Sequence, residues 1–150
     1  MRSLYQPDAA SEIQERLARL NPSSARQWGT MTAAQAMAHC SNAMENANGD
    51  VKPPRMFIGR VIGSMVKKMA IGDDRPLKRN SPTSPELKVA DTRQLDVEKE
   101  RLSTLIDRFV AAGPAGCTRH PHSFFGHMTP DEWGVLMYKH VDHHLRQFGA

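Results

Sequence analysis

Apolar residues recur along this chain at intervals of three and four, and they rarely alternate with polar ones, so the pattern predicts an all-α fold. A first helix is expected from about Asp8 to Leu20, with Ile13, Leu17 and Leu20 in one stripe and Asn21-Pro22 ending it. The second begins at Thr32, whose hydroxyl can accept from a first-turn N–H while Gln35 reaches back, and it runs to about Asn48, where Gly49 stops it. From Met56 to Ile71, Ile58, Val61, Ile62, Met65 and Met69 share one side of a third helix, opposite Arg60, Ser64, Lys67 and Lys68. Gly59 and Gly63 make it weak in isolation. The stretch from Gly72 to about Ala90 carries Pro76, Pro82 and Pro85 and reads as a long ordered loop. A further helix is expected from about Asp91 to Ala112, with Leu95, Leu102, Leu105, Ile106 and Phe109 inward and Gly113-Pro114 closing it. The last has the strongest start signal, with Thr129 as N-cap, Pro130 at the first helical position and Glu132 completing a capping box, and it continues to Gln147. Together these elements predict a four-helix bundle with an extra short helix between the second and third major helices. The long connection lets those two helices lie parallel.

Length and composition narrow the class. At 150 residues, 39% hydrophobic and 24% charged, the chain suits one autonomously folding globular domain. Cys40 and Cys117 show no C-x-x-C spacing, the N-terminus lacks an apolar leader, and no run reaches the length of a membrane span, so a cytoplasmic protein is expected. The net charge of +4 is uneven, with eight basic residues against Asp73 and Asp74 between positions 51 and 80, a local net of +6. Such a block can attract phosphates or anionic head groups, but a solvated surface explains it as well. Nucleic-acid binding rests on that block alone, without a DNA-binding motif or a phosphate-cradling glycine loop.

The histidines carry the candidate chemistry. There are seven, and their placement matters more than their number. His140 and His144 are four apart and project from one helix face, in a stripe with Trp133, Met137 and Phe148, where core residues belong. His39 lies on the second helix among small residues, and if that helix packs antiparallel to the last, His39 can meet His140 and His144 in an open three-nitrogen metal site. His140 with His143 is the second-ranked pair. Val141-Asp142-His143 supplies no glutamate base between the ligands, which argues against a zinc protease, and Asp142 reads as a surface or supporting residue. The loop from Gly113 to Met128 holds His120, His122 and His127, each able to line a pocket, while Phe124 and Phe125 are expected to pack over the bundle end. His143, Tyr138 and Gln147 are further candidates for the pocket or for support of the ligands. Tyr138, Glu45 and the loop histidines are the candidate acid–base groups. Cys40 is read as a small buried residue.

Four segments carry a family resemblance: Trp28-Gly-Thr-Met-Thr-Ala-Ala-Gln-Ala-Met-Ala-His39, then Asn80-Ser-Pro-Thr-Ser-Pro-Glu-Leu, then His120-Pro-His-Ser-Phe-Phe-Gly, and the stretch from Trp133 through His140-Val-Asp-His-His144 to Gln147. Together they resemble the DinB-like metal-binding four-helix bundles, within them a short bacterial branch of unknown function. The resemblance implies His39, His140 and His144 as ligands of a divalent metal, zinc or nickel first and iron or manganese second. It also implies an up-down-down-up bundle, frequently dimeric, and a metal-dependent enzyme that transfers a low-molecular-weight thiol to an electrophile. The alternative is a non-catalytic metal-binding or stress-response protein.

Overall fold

The computed structural model describes all residues, 1–150, and it is helical throughout, with no strand and one isolated bridge between His122 and Gly126. Its helices are α1 (Pro7–Arg19), α2 (Ala33–Asn48), α3 (Phe57–Ile71), α4 (Leu95–Gly116) and α5 (Pro130–Gln147), with a 3-10 turn at Pro85–Leu87. Both expected capping boxes form. Thr32 accepts from the Gln35 N–H and Gln35 answers at the Thr32 N–H, and Thr129 and Glu132 do the same at the head of α5. Gly49 ends α2 at φ +83°, a left-handed conformation that costs glycine nothing.

Polar contacts between helices give their directions. Gln35 donates to the Asp91 carbonyl, Arg101 reaches Asn42 and Glu45, and Asn48 donates to the Leu105 carbonyl, so α2 and α4 ascend together. Gln14 meets Ser103 and Asp107 while Lys99 meets Ala18 and Leu20, so α1 opposes α4. Leu4 bonds Gly134 and Arg16 bonds Asp142, so α1 and α5 are parallel. The contact of α2 with α4 is the most extensive in the molecule. Ala34, Ala38 and Ser41 fall on the same side of α2 as Asn42, Glu45 and Asn48, and side chains this small let α4 come close. Ile13, Leu17, Met37, Met44, Leu102, Ile106, Phe109, Trp133, Met137 and Leu145 fill the centre.

One expected boundary needs correction. The helix expected from Asp91 begins at Leu95, because the Asp91 carbonyl serves Gln35 and its carboxylate pairs with Arg93, leaving Gln94 to precede the first turn. The helix closes as expected at Gly113, which is non-helical at φ +63°, and a short further stretch continues to Gly116. The apolar side of α3 faces outward: Phe57, Ile58, Val61, Met65 and Met69 are exposed, while Gly59 and Gly63 are buried. The glycines decide this orientation. A Cβ on Gly59 would lie 2.4 Å from the Phe124 carbonyl oxygen and one on Gly63 2.1 Å from it, so only this bare edge of the helix can lie against the 120s loop. No helix is long and apolar enough to cross a membrane.

Gly63→Ala separates helix propensity from packing. Propensity alone would gain about 1 kcal/mol, yet the clash with backbone is expected to cost about 1–3 kcal/mol net in urea unfolding. Val61→Ala, on the exposed side, should change stability by no more than about 0.5 kcal/mol.

Candidate metal centre

α2 and α5 run antiparallel, since Trp28, just ahead of α2, accepts a hydrogen bond from Gln147 at the end of α5. That arrangement brings His39 beside His140 and His144. The three form a cluster whose ligand atoms all lie within 4.8 Å of one another, with His39 and His144 buried and His140 partly accessible. Their ring centroids are 4.7–5.1 Å apart. His39 Nε2 and His140 Nε2 are 2.7 Å apart. Bonds of about 2.0–2.1 Å to one ion would set neighbouring nitrogens about 3 Å apart, so a small outward movement of the two rings admits a cation.

Neighbouring acceptors determine where the protons sit. His39 Nδ1 lies 2.9 Å from the Leu87 carbonyl oxygen, which can only accept, so Nδ1 carries the hydrogen and Nε2 keeps its lone pair. Gln147 donates through Nε2 to the Trp28 carbonyl, which turns its Oε1 toward His144 Nδ1 at 2.7 Å. His144 Nδ1 is therefore the donor, and its Nε2 is bare as well. Burial lowers the pKa of all three imidazoles. His144 falls to about 3, with a further contribution from His39, and His140 lies well below 6.5, with contributions from its neighbours. In His39 the bond to Leu87 partly opposes the desolvation. With His39 Nε2 bare, the 2.7 Å contact makes His140 Nε2 the donor, so two bare nitrogens face a third neutral ring that becomes a ligand when its hydrogen moves to Nδ1. Neutral imidazoles so grouped are the donor set of a transition-metal ion.

The other candidates occupy different places. His143 packs 5.0 Å from His144 and edge-on to Trp28 at 5.4 Å, beside the cluster but outside it. Gln147 supports His144, as described. Tyr138 lies under the Arg2 guanidinium, and Glu45 is paired with Arg101, so neither candidate acid–base group faces the histidines. His120 Nε2 donates to the Pro53 carbonyl, and His127 is exposed. His122 is enclosed by Phe125 and Trp133, and its Nδ1 accepts from the Phe124 and Phe125 N–H groups, which makes it a brace for the 120s loop. Asp142, expected at the surface or in support of the ligands, is buried and pairs with Arg16 at 2.7 Å and with Arg146. Cys40 and Cys117 are free and buried. Sequence reasoning had no way to find the Leu87 and Trp28 carbonyls, because a backbone acceptor leaves no mark in side-chain chemistry.

Buried neutral histidines make the metal-free protein sensitive to acid. Burial holds His122 at about 4 and His144 at about 3, against an ordinary 6.5, so on acidification protons bind the unfolded chain first. Stability is complete above pH 6.5 and declines as pH falls through the folded values. Urea unfolding of metal-free protein should show this decline, with His122 alone contributing on the order of 2–3 kcal/mol by pH 4, and His122→Phe should flatten that part of the profile.

No curated protein and no solved structure matches this chain. The family model described as "Protein of unknown function (DUF1569)" matches residues 1–150, and the chain belongs to that family.

Proposed function

We propose that this protein is a divalent-metal-dependent enzyme of the DinB-like type that transfers a low-molecular-weight thiol to an electrophile. The observation that carries the proposal is the pair of imidazoles whose Nδ1 protons are committed to Leu87 and Gln147, leaving both Nε2 lone pairs beside His140. Helix directions support the same reading, since α1 and α5 run one way and α2 and α4 the other, the up-down-down-up order of a four-helix bundle with α3 as an addition. An all-imidazole donor set without thiolate or carboxylate suits zinc or nickel, with iron or manganese as alternatives. Two free, buried cysteines accord with a reducing cytoplasm.

A cation held by His39, His140 and His144 would supply Lewis acidity at its open positions, lowering the pKa of a thiol or water toward neutral. The protein's own contribution is orientation. Leu87 and Gln147 hold two rings in the ligating tautomer, and burial keeps them free of protons. His143 packs 5.0 Å from His144 at the edge of the site, and burial lowers its pKa, which keeps it neutral and able to accept a proton there.

Metal analysis of purified protein is expected to find about one ion per chain in the wild type and little in His140→Ala or His144→Ala, with helical content retained in both. Gln147→Leu should weaken metal affinity about 10–100-fold without removing a ligand. Conjugation of a cellular thiol to a chloro-aromatic electrophile should require the metal. Equal rates with and without it would refute the enzymatic reading, and tight metal binding with no turnover would leave a metal-binding protein.

A further inference from the structure

A cleft of ≈ 550 Å³ opens beside His143, bordered also by Trp28, Leu77, Arg79 and Arg146. That volume suits a molecule of metabolite size. Its lining carries two guanidiniums and no carboxylate. Arg79 lies over the Trp28 ring, its Cζ 4.1 Å from the centroid, and makes no ion pair. Arg146 engages Asp142 through Nε alone, so its two terminal nitrogens have no partner in the protein. Planar forks with unused N–H groups pair best with oxyanions, in two parallel N–H···O bonds.

Two contacts tie this cleft to the histidine cluster. His143, on its wall, packs 5.0 Å from His144. Trp28, which also borders it, accepts the hydrogen bond that turns Gln147 toward His144. A molecule held by its charged end between the two arginines would therefore lie against His143, one ring away from His144. We propose that the cleft binds the carboxylate or phosphate group of a small-molecule substrate and directs the rest of that molecule toward the histidines. This rests on the metal-dependent reading above and adds the substrate's class, an anion.

The test reads binding rather than turnover. Of the two tryptophans, Trp133 is buried, so a ligand in the cleft reports through Trp28 fluorescence. Metal-free wild type is titrated with inorganic phosphate and, separately, with succinate, at ionic strength held constant with chloride, and calorimetry is run alongside. A saturable response to at least one is expected, and the tighter of the two identifies the group recognised. Arg79→Gln, at an exposed position that leaves the fold intact, should weaken binding about ten-fold or more. No saturable response in the wild type, or unchanged affinity in Arg79→Gln, overturns the proposal. His140→Ala is titrated in parallel with its metal content measured. Anion binding without metal supports the cleft independently of the metal reading, and metal binding in the wild type without anion binding overturns the cleft alone.

Discussion

Everything at this centre depends on keeping three imidazoles uncharged inside a helical core while leaving their lone pairs unused. A buried nitrogen without a partner is costly, and a buried imidazolium more so. The protein meets the first cost with a partner on the outer side of two of the rings. Leu87 and Gln147 take up the Nδ1 protons of His39 and His144, and no comparable partner takes the Nε2 atoms except His140. The result is a set of neutral rings, two of them already in the ligating tautomer, so binding requires only that His140 move its hydrogen to Nδ1 and releases no net proton at neutral pH. A core assembled for stability alone would have filled this space with apolar side chains, as it does around Met37 and Leu145.

Holding the rings at one point requires α5 to keep both its rotation and its height. The second requirement falls to the opposite face of the same helix. Asp142 lies two residues from both His140 and His144, and on a helix that spacing points it well away from them, into α1. There Arg16 clamps it, and Arg16 also reaches the Ala150 carbonyl, so one guanidinium ties the end of the chain to the first helix. Breaking one partner of such a pair leaves a buried charge uncompensated, and a slide of α5 along α1 would do so. The carboxylate between the ligands is therefore part of the frame.

The parts that side-chain chemistry determines locally were legible in the sequence: both capping boxes, the glycine stop after Asn48, and the histidine spacing on α5. What escaped was settled by backbone meeting backbone. The pattern divides α3 into an apolar and a basic side without saying which faces the protein, and the contact of Gly59 and Gly63 with the Phe124 carbonyl decides it, since no side chain of any kind fits there. Asp91 has the composition of a helix cap, yet its groups are occupied by Gln35 and Arg93. Arg79 was one of the basic residues between positions 51 and 80 and Arg146 had no stated part until the fold placed both on one cleft.

The long loop follows from the topology rather than from the site. α2 and α4 are parallel, so after α2 ends the chain must travel back along its length, about 24 Å for 16 residues, before α4 can begin beside Gln35. α3 occupies the far end, against the 120s loop. Residues 72–94 then make the return journey, and the path runs over the mouth of the histidine cluster. On the way Leu77 and Arg79 border the cleft, and Leu87 places its carbonyl on His39. An antiparallel hairpin between α2 and α4 would have needed only a short turn and left the histidines uncovered. The parallel arrangement thus supplies the acceptor that sets the His39 tautomer and one of the two cleft arginines, which makes the connection a working wall of the site.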